Sequence, residues 1–320
     1  MATRKNPRKA QPAQKKKITV LSYMARQIDL MKLEKRFGTS RNYSKAQNSL
    51  NAFLKGRDIS FNLIDESFVH EYNSFLEQRG IMRNTISFYM RIFRALYNKA
   101  TKEHIARPRQ LFSDVYTGVD KTRKRALDEK AVKRIMALDL KGLPSLMLSR
   151  DIFYFSFCMR GMSFVDIAFL KKHDYDGEYI TYHRQKTGQR LMVYAEPCIE
   201  RIIRRYSSQT AGTPYIFPII KSDNSETAFR QYQTALGYHN RKLKELARRA
   251  KVNIPLSSYC ARHTWATVAR NHHIPISVIA AAMGHNSEKT TLIYLASLEN
   301  SVIDKANRRV IESVGKAVSP

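Results

Sequence analysis

Cysteine is scarce in this 320-residue chain, which has only three. Cys158, Cys198 and Cys260 are odd in number and widely spaced, so they show neither the paired spacing of a zinc site nor a disulfide framework. We expect all three to be buried and to behave as small apolar residues. The sequence therefore gives no support to a protein held together by disulfides or zinc.

Long apolar runs are also missing. The longest apolar region, residues 152–170, is interrupted by Arg160 and Asp166, so it cannot be a simple membrane span. No N-terminal segment has the apolar core of a signal peptide. We therefore expect a cytoplasmic protein with no membrane partner.

Acidic residues are few compared with basic ones. The chain has 27 Asp and Glu against 56 Lys and Arg, a formal net charge of +29. An excess of this size causes self-repulsion, which a polyanionic partner would offset. The charge therefore favours nucleic acid as the partner over a basic surface with no binding role.

The chain divides into four predicted segments. Residues 1–17 are basic with almost no large apolar residues, which predicts a flexible tail, either an arm that contacts phosphates or a solvated terminus. Residues 18–106 contain amphipathic stretches and no proline, which predicts a small all-helical unit. Residues 107–125, with the run KTRKR, are typical of a basic linker. Residues 126–320 are predicted to be mostly helical, with a small sheet around the turn KTGQ.

The last amphipathic stretch of the helical unit is predicted to begin at a cap formed by Asn84 or Thr85. Arg83, Arg91 and Arg94 lie away from its apolar stripe. These arginines either contact a DNA groove or form a solvated charged face. The predicted DNA contacts of the linker are Lys121, Arg123, Lys124 and Arg125.

The segment 259–294 combines three residue types that suit attack on a phosphodiester. Arg262 offers a planar fork of donors that matches two phosphate oxygens, and His285 adds a further donor. Tyr294 supplies a hydroxyl that can attack phosphorus. The three residues therefore form a candidate catalytic set.

These residues belong to a pattern that resembles the tyrosine recombinases, also called the phage integrase family, over nearly the whole chain. ARHTWAT at 261–267 is similar to the family's Arg-His-Thr box, and MGH at 283–285 is similar to its Leu-Gly-His box. Tyr294 follows His285 by nine residues, as the family's nucleophile does. KTG at 186–188 resembles the hairpin that carries the family's lysine.

The resemblance implies a fold that is mainly α with a small β-sheet. A helical SAM-like core-binding domain and a mixed α/β catalytic domain would grip DNA as a C-shaped clamp. Tyr294 would form a 3′-phosphotyrosyl bond, Arg262 would grip a non-bridging oxygen, Lys186 would protonate the leaving 5′-oxygen, and His285 would donate to the phosphate. Because the covalent bond conserves the phosphodiester energy and arginines stabilise the developing charge, no metal or other cofactor is expected.

Two positions depart from the family's pattern. Tyr259 stands where a histidine is usual; its phenol can donate a hydrogen bond but, with a pKa near 10, is a poor base. Ser163 stands where an arginine is usual. We expect Arg160 to supply the second phosphate clamp, if its long side chain or a helix break near Gly161 absorbs the shift. The structural alternative is an ion pair between Arg160 and Asp166, the acidic residue expected to hold an arginine in place.

The resemblance also predicts an assembly. Residues 302–314 carry an apolar stripe that either packs in cis or docks on a neighbour, giving a homo-tetramer on two DNA duplexes. The expected partner is double-stranded DNA with specific recombination sites, with accessory DNA-bending proteins as further candidates. The reaction would be integration, excision or inversion by a bacterial mobile-element enzyme.

Two other functions stay open. One is a type IB topoisomerase, which nicks and reseals DNA without sequence preference. The other is a DNA-binding protein that has lost catalysis, an alternative motivated by Ser163 and Tyr259.

Overall fold

The computed structural model describes residues 18–120, 126–285 and 287–292. The chain forms two compact units, Met1–Thr122 and Arg123–Pro320. Each unit has a hydrophobic core of its own. Within the described ranges, no helix is long and apolar enough to cross a membrane.

Four α-helices build the part of the first unit that the structure describes. Each turns an apolar stripe towards a shared core, in which Tyr23, Tyr72 and Tyr97 are fully buried. The prediction of an all-helical unit is confirmed. The helices are α1 (Val20–Leu33), α2 (Phe37–Phe53), α3 (Glu66–Gln78) and α4 (Arg83–Lys102).

Helix α4 begins two or three residues earlier than predicted. Its N-cap is Met82, so the predicted cap at Asn84 or Thr85 is wrong. Asn84 Nδ2 instead donates to the backbone oxygen of Asp120 at 3.2 Å, and Asn84 Oδ1 accepts from Asp120 N at 2.8 Å. The amide is therefore used to hold a distant part of the chain against α4.

The core of the first unit continues beyond residue 106, into the segment predicted to be a linker. Leu111, Phe112 and Val115 are buried in this core. The Phe112 ring packs edge-on against Phe93, with 5.4 Å between centroids. Burial of such large apolar side chains stabilises by about 1.5–3 kcal/mol each, which favours packing over a free linker. Residues 121–125 lie outside the described ranges.

The described part of the second unit is mostly helical. Asp128 caps its first helix, because Asp128 Oδ1 accepts from Ala131 N at 2.6 Å, as predicted. The helices are α5 (Glu129–Met136), α6 (Pro144–Cys158), α7 (Phe164–Ala168), α8 (Pro197–Tyr206), α9 (Ser225–Arg249), α10 (Cys260–Asn271), α11 (Ile276–Ala282) and α12 (Glu288–Leu292).

One antiparallel hairpin adds a small sheet to this unit. Strands β1 (Tyr179–His183) and β2 (Arg190–Tyr194) pair directly, with Tyr179 opposite Tyr194 and His183 opposite Arg190. The KTGQ segment turns the chain between them, as predicted. Inward-facing side chains of both strands join the core formed by α6, α7 and α8. The fold is therefore mainly α with a small β-sheet, as expected.

The cysteines are less uniform than predicted. Cys260 is buried, but Cys158 and Cys198 are only half-buried. Their sulfur atoms are 3.6 Å apart, where the end of α6 meets the start of α8. Both thiols thus have a polarisable neighbour as well as apolar contacts.

Candidate active site

Arg262 lies in the first turn of α10 and is 4% exposed. Its Nη1 donates to the backbone oxygen of Gly161 at 2.7 Å, and its Nη2 donates to the backbone oxygen of Met283 at 2.7 Å. Nη2 also lies 2.8 Å from His285 Nε2. Because carbonyl oxygens on two other segments bind its nitrogens, the buried guanidinium of Arg262 is held in one orientation.

The chain between α6 and α7 brings Gly161 against this arginine. Helix α6 ends at Cys158, and both Arg160 and Gly161 have positive φ, 55° and 75°. This break means that Arg160 and Ser163 do not share a helical face. Arg160 Nη1 lies 3.5 Å from the backbone oxygen of Met192. The role of Arg160 as a phosphate clamp stays a prediction.

His285 is linked to both the arginine and the helix that follows. Burial lowers its pKa to about 4, assisted by the positive charges of Arg262, Arg184 and Lys186. Because Arg262 can only donate, Nε2 of the neutral ring accepts. The ring proton is therefore on Nδ1, which donates to Oγ1 of the buried Thr291 at 2.9 Å.

Asp166 connects the start of α7 to the hairpin. Its Oδ2 accepts from Ser163 Oγ at 2.6 Å, and its Oδ1 accepts from Gln185 N at 2.8 Å. Ser163 is also the N-cap of α7. Asp166 thus holds a serine and the hairpin backbone, where an arginine was expected. Lys186, the next residue after Gln185, is exposed.

The hairpin also packs against the MGH box. Arg184 Nη1 donates to the backbone oxygen of Gly284, the residue before His285. A methyl group on Gly284 would lie 3.0 Å from Gln189 Oε1 and 3.0 Å from Leu191 Cδ1. With φ at 64°, a side chain at this position would be strained and would push these neighbours aside, so glycine is favoured here, and the lysine hairpin and the MGH box lie against one another.

Tyr259, the residue at the usual histidine position, is the N-cap residue of α10 and is 47% exposed. Its ring centroid is 6.3 Å from that of His263. Two residues after Arg262, the buried Thr264 accepts from the backbone N–H of Leu127 through Oγ1 at 3.0 Å. The Arg-His-Thr box therefore holds the beginning of the second unit as well as the site.

The basic residues predicted to contact DNA are only partly described. Arg83 lies over the ring of Tyr116, with Cζ 3.9 Å from the centroid, and its Nη1 is 3.5 Å from Asp120 Oδ1. Arg94 Nη1 donates to Thr117 Oγ1 at 3.3 Å. The exposed arginines of α4 are Arg83, Arg91 and Arg94. The predicted contacts outside the described residues are Lys121, Arg123, Lys124 and Arg125.

The structure thus brings together Arg262 and His285, and it places the Lys186 hairpin against the same box. Tyr294 lies outside the described residues. Sequence reasoning missed Thr291 and Arg184, which contact this group. Thr291 has a sequence signal, because it lies between His285 and Tyr294; Arg184 precedes Lys186 by two residues but belongs to no motif.

Solved structures of other recombinases resemble this one, and three examples follow. A lambda integrase dimer bound to a COC′ core site is 14% identical with a TM-score of 0.62, and the match covers 87% of this chain and 95% of that one. A lambda integrase tetramer bound to a Holliday junction is 14% identical with a TM-score of 0.62, covering 88% and 78%. The integrase of transposon Tn1549, in complex with transposon right end DNA, is 15% identical with a TM-score of 0.60, covering 93% and 100%. At such identities the likeness shows the fold alone.

Two protein-family models also match this chain. Residues 19–112 match the phage integrase SAM-like domain, and residues 125–301 match the phage integrase family. Comparison with curated protein sequences gives no match. The second family match alone spans more than half of the chain, and the Arg262–His285 pair and the lysine hairpin lie within it. The chain therefore belongs to the phage integrase family and is a tyrosine-type site-specific DNA recombinase.

Proposed function

We propose that this recombinase cuts and rejoins double-stranded DNA at specific sites through a 3′-phosphotyrosyl intermediate on Tyr294. The observation that supports this most directly is the series of contacts from Arg262 through His285 to Thr291. Thr291 precedes Tyr294 by only three residues. The contacts therefore tie the phosphate-binding arginine to the sequence that carries the nucleophile.

Arg262 would stabilise the charge that develops on the phosphorus oxygens. Its fork is already oriented, so little reorganisation is needed when the phosphate arrives. In the DNA-free protein His285 Nε2 accepts from Arg262 and has no proton to give. A nearby phosphate would favour protonation of His285, after which Nε2 can donate to a non-bridging oxygen.

Lys186 would protonate the 5′-oxygen as it leaves. The bond from Gln185 N to Asp166 holds the backbone next to Lys186, while the lysine side chain remains exposed. The backbone at Lys186 is therefore held in place, while its long side chain can reach into bound DNA. A free 5′-hydroxyl from a partner strand would then attack the phosphotyrosyl bond and restore Tyr294.

Binding would depend on the basic residues of both units. The arginines of α4 and the predicted basic positions 121–125 would contact phosphates, which fix the protein on the duplex without reading sequence. We propose a homo-tetramer on two duplexes, in which residues 302–314 dock on a neighbouring protomer; the lambda integrase tetramer on a Holliday junction supports this assembly. We further propose that accessory DNA-bending proteins take part in the reaction and that the protein acts in a bacterial cytoplasm.

The test is covalent trapping. The protein is incubated with fragmented genomic DNA of its host, the mixture is denatured, and DNA that stays attached is sequenced. Tyr294→Phe is the control, because phenylalanine keeps the ring and removes the attacking oxygen. We expect adducts at a few repeated sequences for the wild-type protein and none for the variant.

Other outcomes separate the alternatives. Adducts spread without sequence preference, together with relaxation of supercoiled plasmid, would support a type IB topoisomerase. DNA binding with no adduct would support a protein that has lost catalysis. Adducts that persist in Tyr294→Phe would show that another residue is the nucleophile.

A further inference from the structure

Among the described residues, the site contains one buried guanidinium, Arg262, where the family pattern has two phosphate-binding arginines. Ser163 occupies the second position, and its hydroxyl is bonded to Asp166. It therefore brings no positive charge to a phosphate. Arg160 turns Nη1 towards the backbone oxygen of Met192, on β2. In the part of the chain that the structure describes, the hydrogen bonds of Ser163 and Arg160 are to Asp166 and Met192, not to His285.

Arg184 does lie beside His285. Its Nη1 donates to the backbone oxygen of Gly284, the residue before His285. Its Cδ is 3.1 Å from the place where a Cβ of Gly284 would stand. The charge of Arg184 is also among those that lower the pKa of His285, second only to Arg262 among the charged neighbours. The guanidinium of Arg184 is therefore close to the histidine that is expected to meet the phosphate.

Three hydrogen bonds hold the backbone around Arg184. Arg184 N donates to Gln189 O at 2.9 Å, and Gly188 N donates to Arg184 O at 2.8 Å, so the tight turn is closed at this residue. The next amide, Gln185 N, is held by Asp166. Arg184 is half-buried, unlike the exposed Lys186 two residues later. Its position relative to α7 and the MGH box is therefore set before DNA binds.

We propose that Arg184 is the second phosphate-binding guanidinium of this recombinase, in place of the arginine that Ser163 replaces. This inference rests on the proposed phosphotyrosyl chemistry. On DNA binding, Arg184 would donate to a non-bridging oxygen of the scissile phosphate, while Arg262 donates from the α10 side. A guanidinium keeps spare donors when one nitrogen binds a carbonyl, so the Gly284 bond can persist during the reaction.

The test compares two substrates that differ in one charge. Two duplexes are prepared that contain a cleavage site identified by covalent trapping. One has the normal scissile phosphate. The other has a methylphosphonate at that position, in which a methyl group replaces one negatively charged oxygen. Arg184→Ala should form adducts ~10²–10³-fold more slowly than the wild-type protein on the normal duplex. On the methylphosphonate duplex the deficit should shrink to within about tenfold, because less charge needs to be stabilised.

Two further variants make the result specific. Arg190→Ala removes an exposed arginine from the same hairpin and should cleave the normal duplex like the wild-type protein. Arg160→Ala tests the other candidate under identical conditions. Urea unfolding of each variant shows whether the fold is kept. If Arg184→Ala fails to fold, Arg184→Gln replaces it, since glutamine removes the charge and keeps a side-chain donor for the oxygen of Gly284, and the same narrowing of the deficit is expected.

Four results would overturn the inference. Arg184→Ala could cleave the normal duplex at the wild-type rate, or it could be equally slow on both duplexes, as a purely structural residue would be. The methylphosphonate could instead rescue Arg160→Ala alone, which would give the role to Arg160. A folded wild-type protein that forms no adduct with any duplex would remove the proposed function, and this inference with it.

Discussion

Gly161 lies so close to Arg262 that a methyl group on its α-carbon would stand 2.8 Å from Arg262 Cα and 2.8 Å from Arg262 Cγ. The same glycine accepts a hydrogen bond from Arg262 Nη1 through its backbone oxygen. Its φ of 75° is in the left-handed region, which a residue with a Cβ adopts at a cost. Backbone conformation and close approach thus both require glycine beside Arg262.

Gly161→Ala should therefore damage the site and the fold together. Left-handed backbone costs alanine about 1 kcal/mol, and overpacking adds about 1–3 kcal/mol. Gly142→Ala is the matched control, because Gly142 has the same φ of 75° with nothing within 4 Å of an added Cβ. We expect a lower urea midpoint for both variants and loss of adduct formation for Gly161→Ala alone. Equal loss of adduct in the two variants would show that contact with Arg262 is unimportant.

Asp166→Asn should loosen the hairpin. An amide can accept through only one oxygen, so one of the bonds from Ser163 Oγ and Gln185 N is lost, at a cost of about 1–3 kcal/mol. We expect faster hydrogen exchange at the Gln185 amide and at least a ~10-fold slower rate of adduct formation.

Asp176→Asn is the control for that experiment. Asp176 Oδ1 accepts from the backbone N–H groups of Glu178 and Tyr179, at the other end of β1. Because both bonds use a single oxygen, which asparagine keeps, Asp176→Asn should leave both in place and should not slow cleavage. The linking role of Asp166 would be refuted if the exchange rate at Gln185 did not change in Asp166→Asn.

His239 should make the second unit sensitive to acid. It is 4% exposed, its ring stacks on Phe164 with 4.7 Å between centroids, and burial lowers its pKa to about 3. As pH falls below about 6.5, the unfolded chain binds a proton that folded His239 does not take up until pH is near 3. The stability that His239 contributes is therefore fully present above about pH 6.5. As pH falls below that value, the folding equilibrium constant decreases by up to a factor of ten per pH unit.

His239→Leu should flatten this pH dependence between pH 6.5 and 4, measured from urea unfolding at each pH. His183→Leu, at an exposed position, controls for the loss of a histidine. An unchanged slope in His239→Leu would mean that other groups cause the acid sensitivity.

Tyr259 offers a test of the first departure from the family pattern. If its hydroxyl donates to the phosphate, Tyr259→Phe should slow adduct formation by ~10–100-fold, as expected for a hydrogen bond to a charged group. Tyr259→His restores the usual residue and should cleave at least as fast as the wild-type protein. A wild-type rate in Tyr259→Phe would limit this residue to a packing role.

The helices and the contact between Arg262 and His285 could be predicted from sequence because their signals are local. Apolar periodicity marks the helices, and Arg262 and His285 lie in short motifs whose spacing the fold preserves. Contacts between distant segments could not be predicted in the same way. Asn84 satisfies a local capping pattern, yet it bonds Asp120, 36 residues away. Arg184 meets Gly284 across 100 residues, and nothing in the sequence near either residue indicates this.

The close approach of Gly284 to Arg184, Gln189 and Leu191 has a consequence for engineering. A chimera made with a related recombinase could exchange the hairpin alone. In this chain a transplanted hairpin would bring side chains that were not selected to fit this glycine. Hairpin and MGH box should therefore be exchanged as one module, and chimeras that split them should show low activity even when each half comes from an active parent.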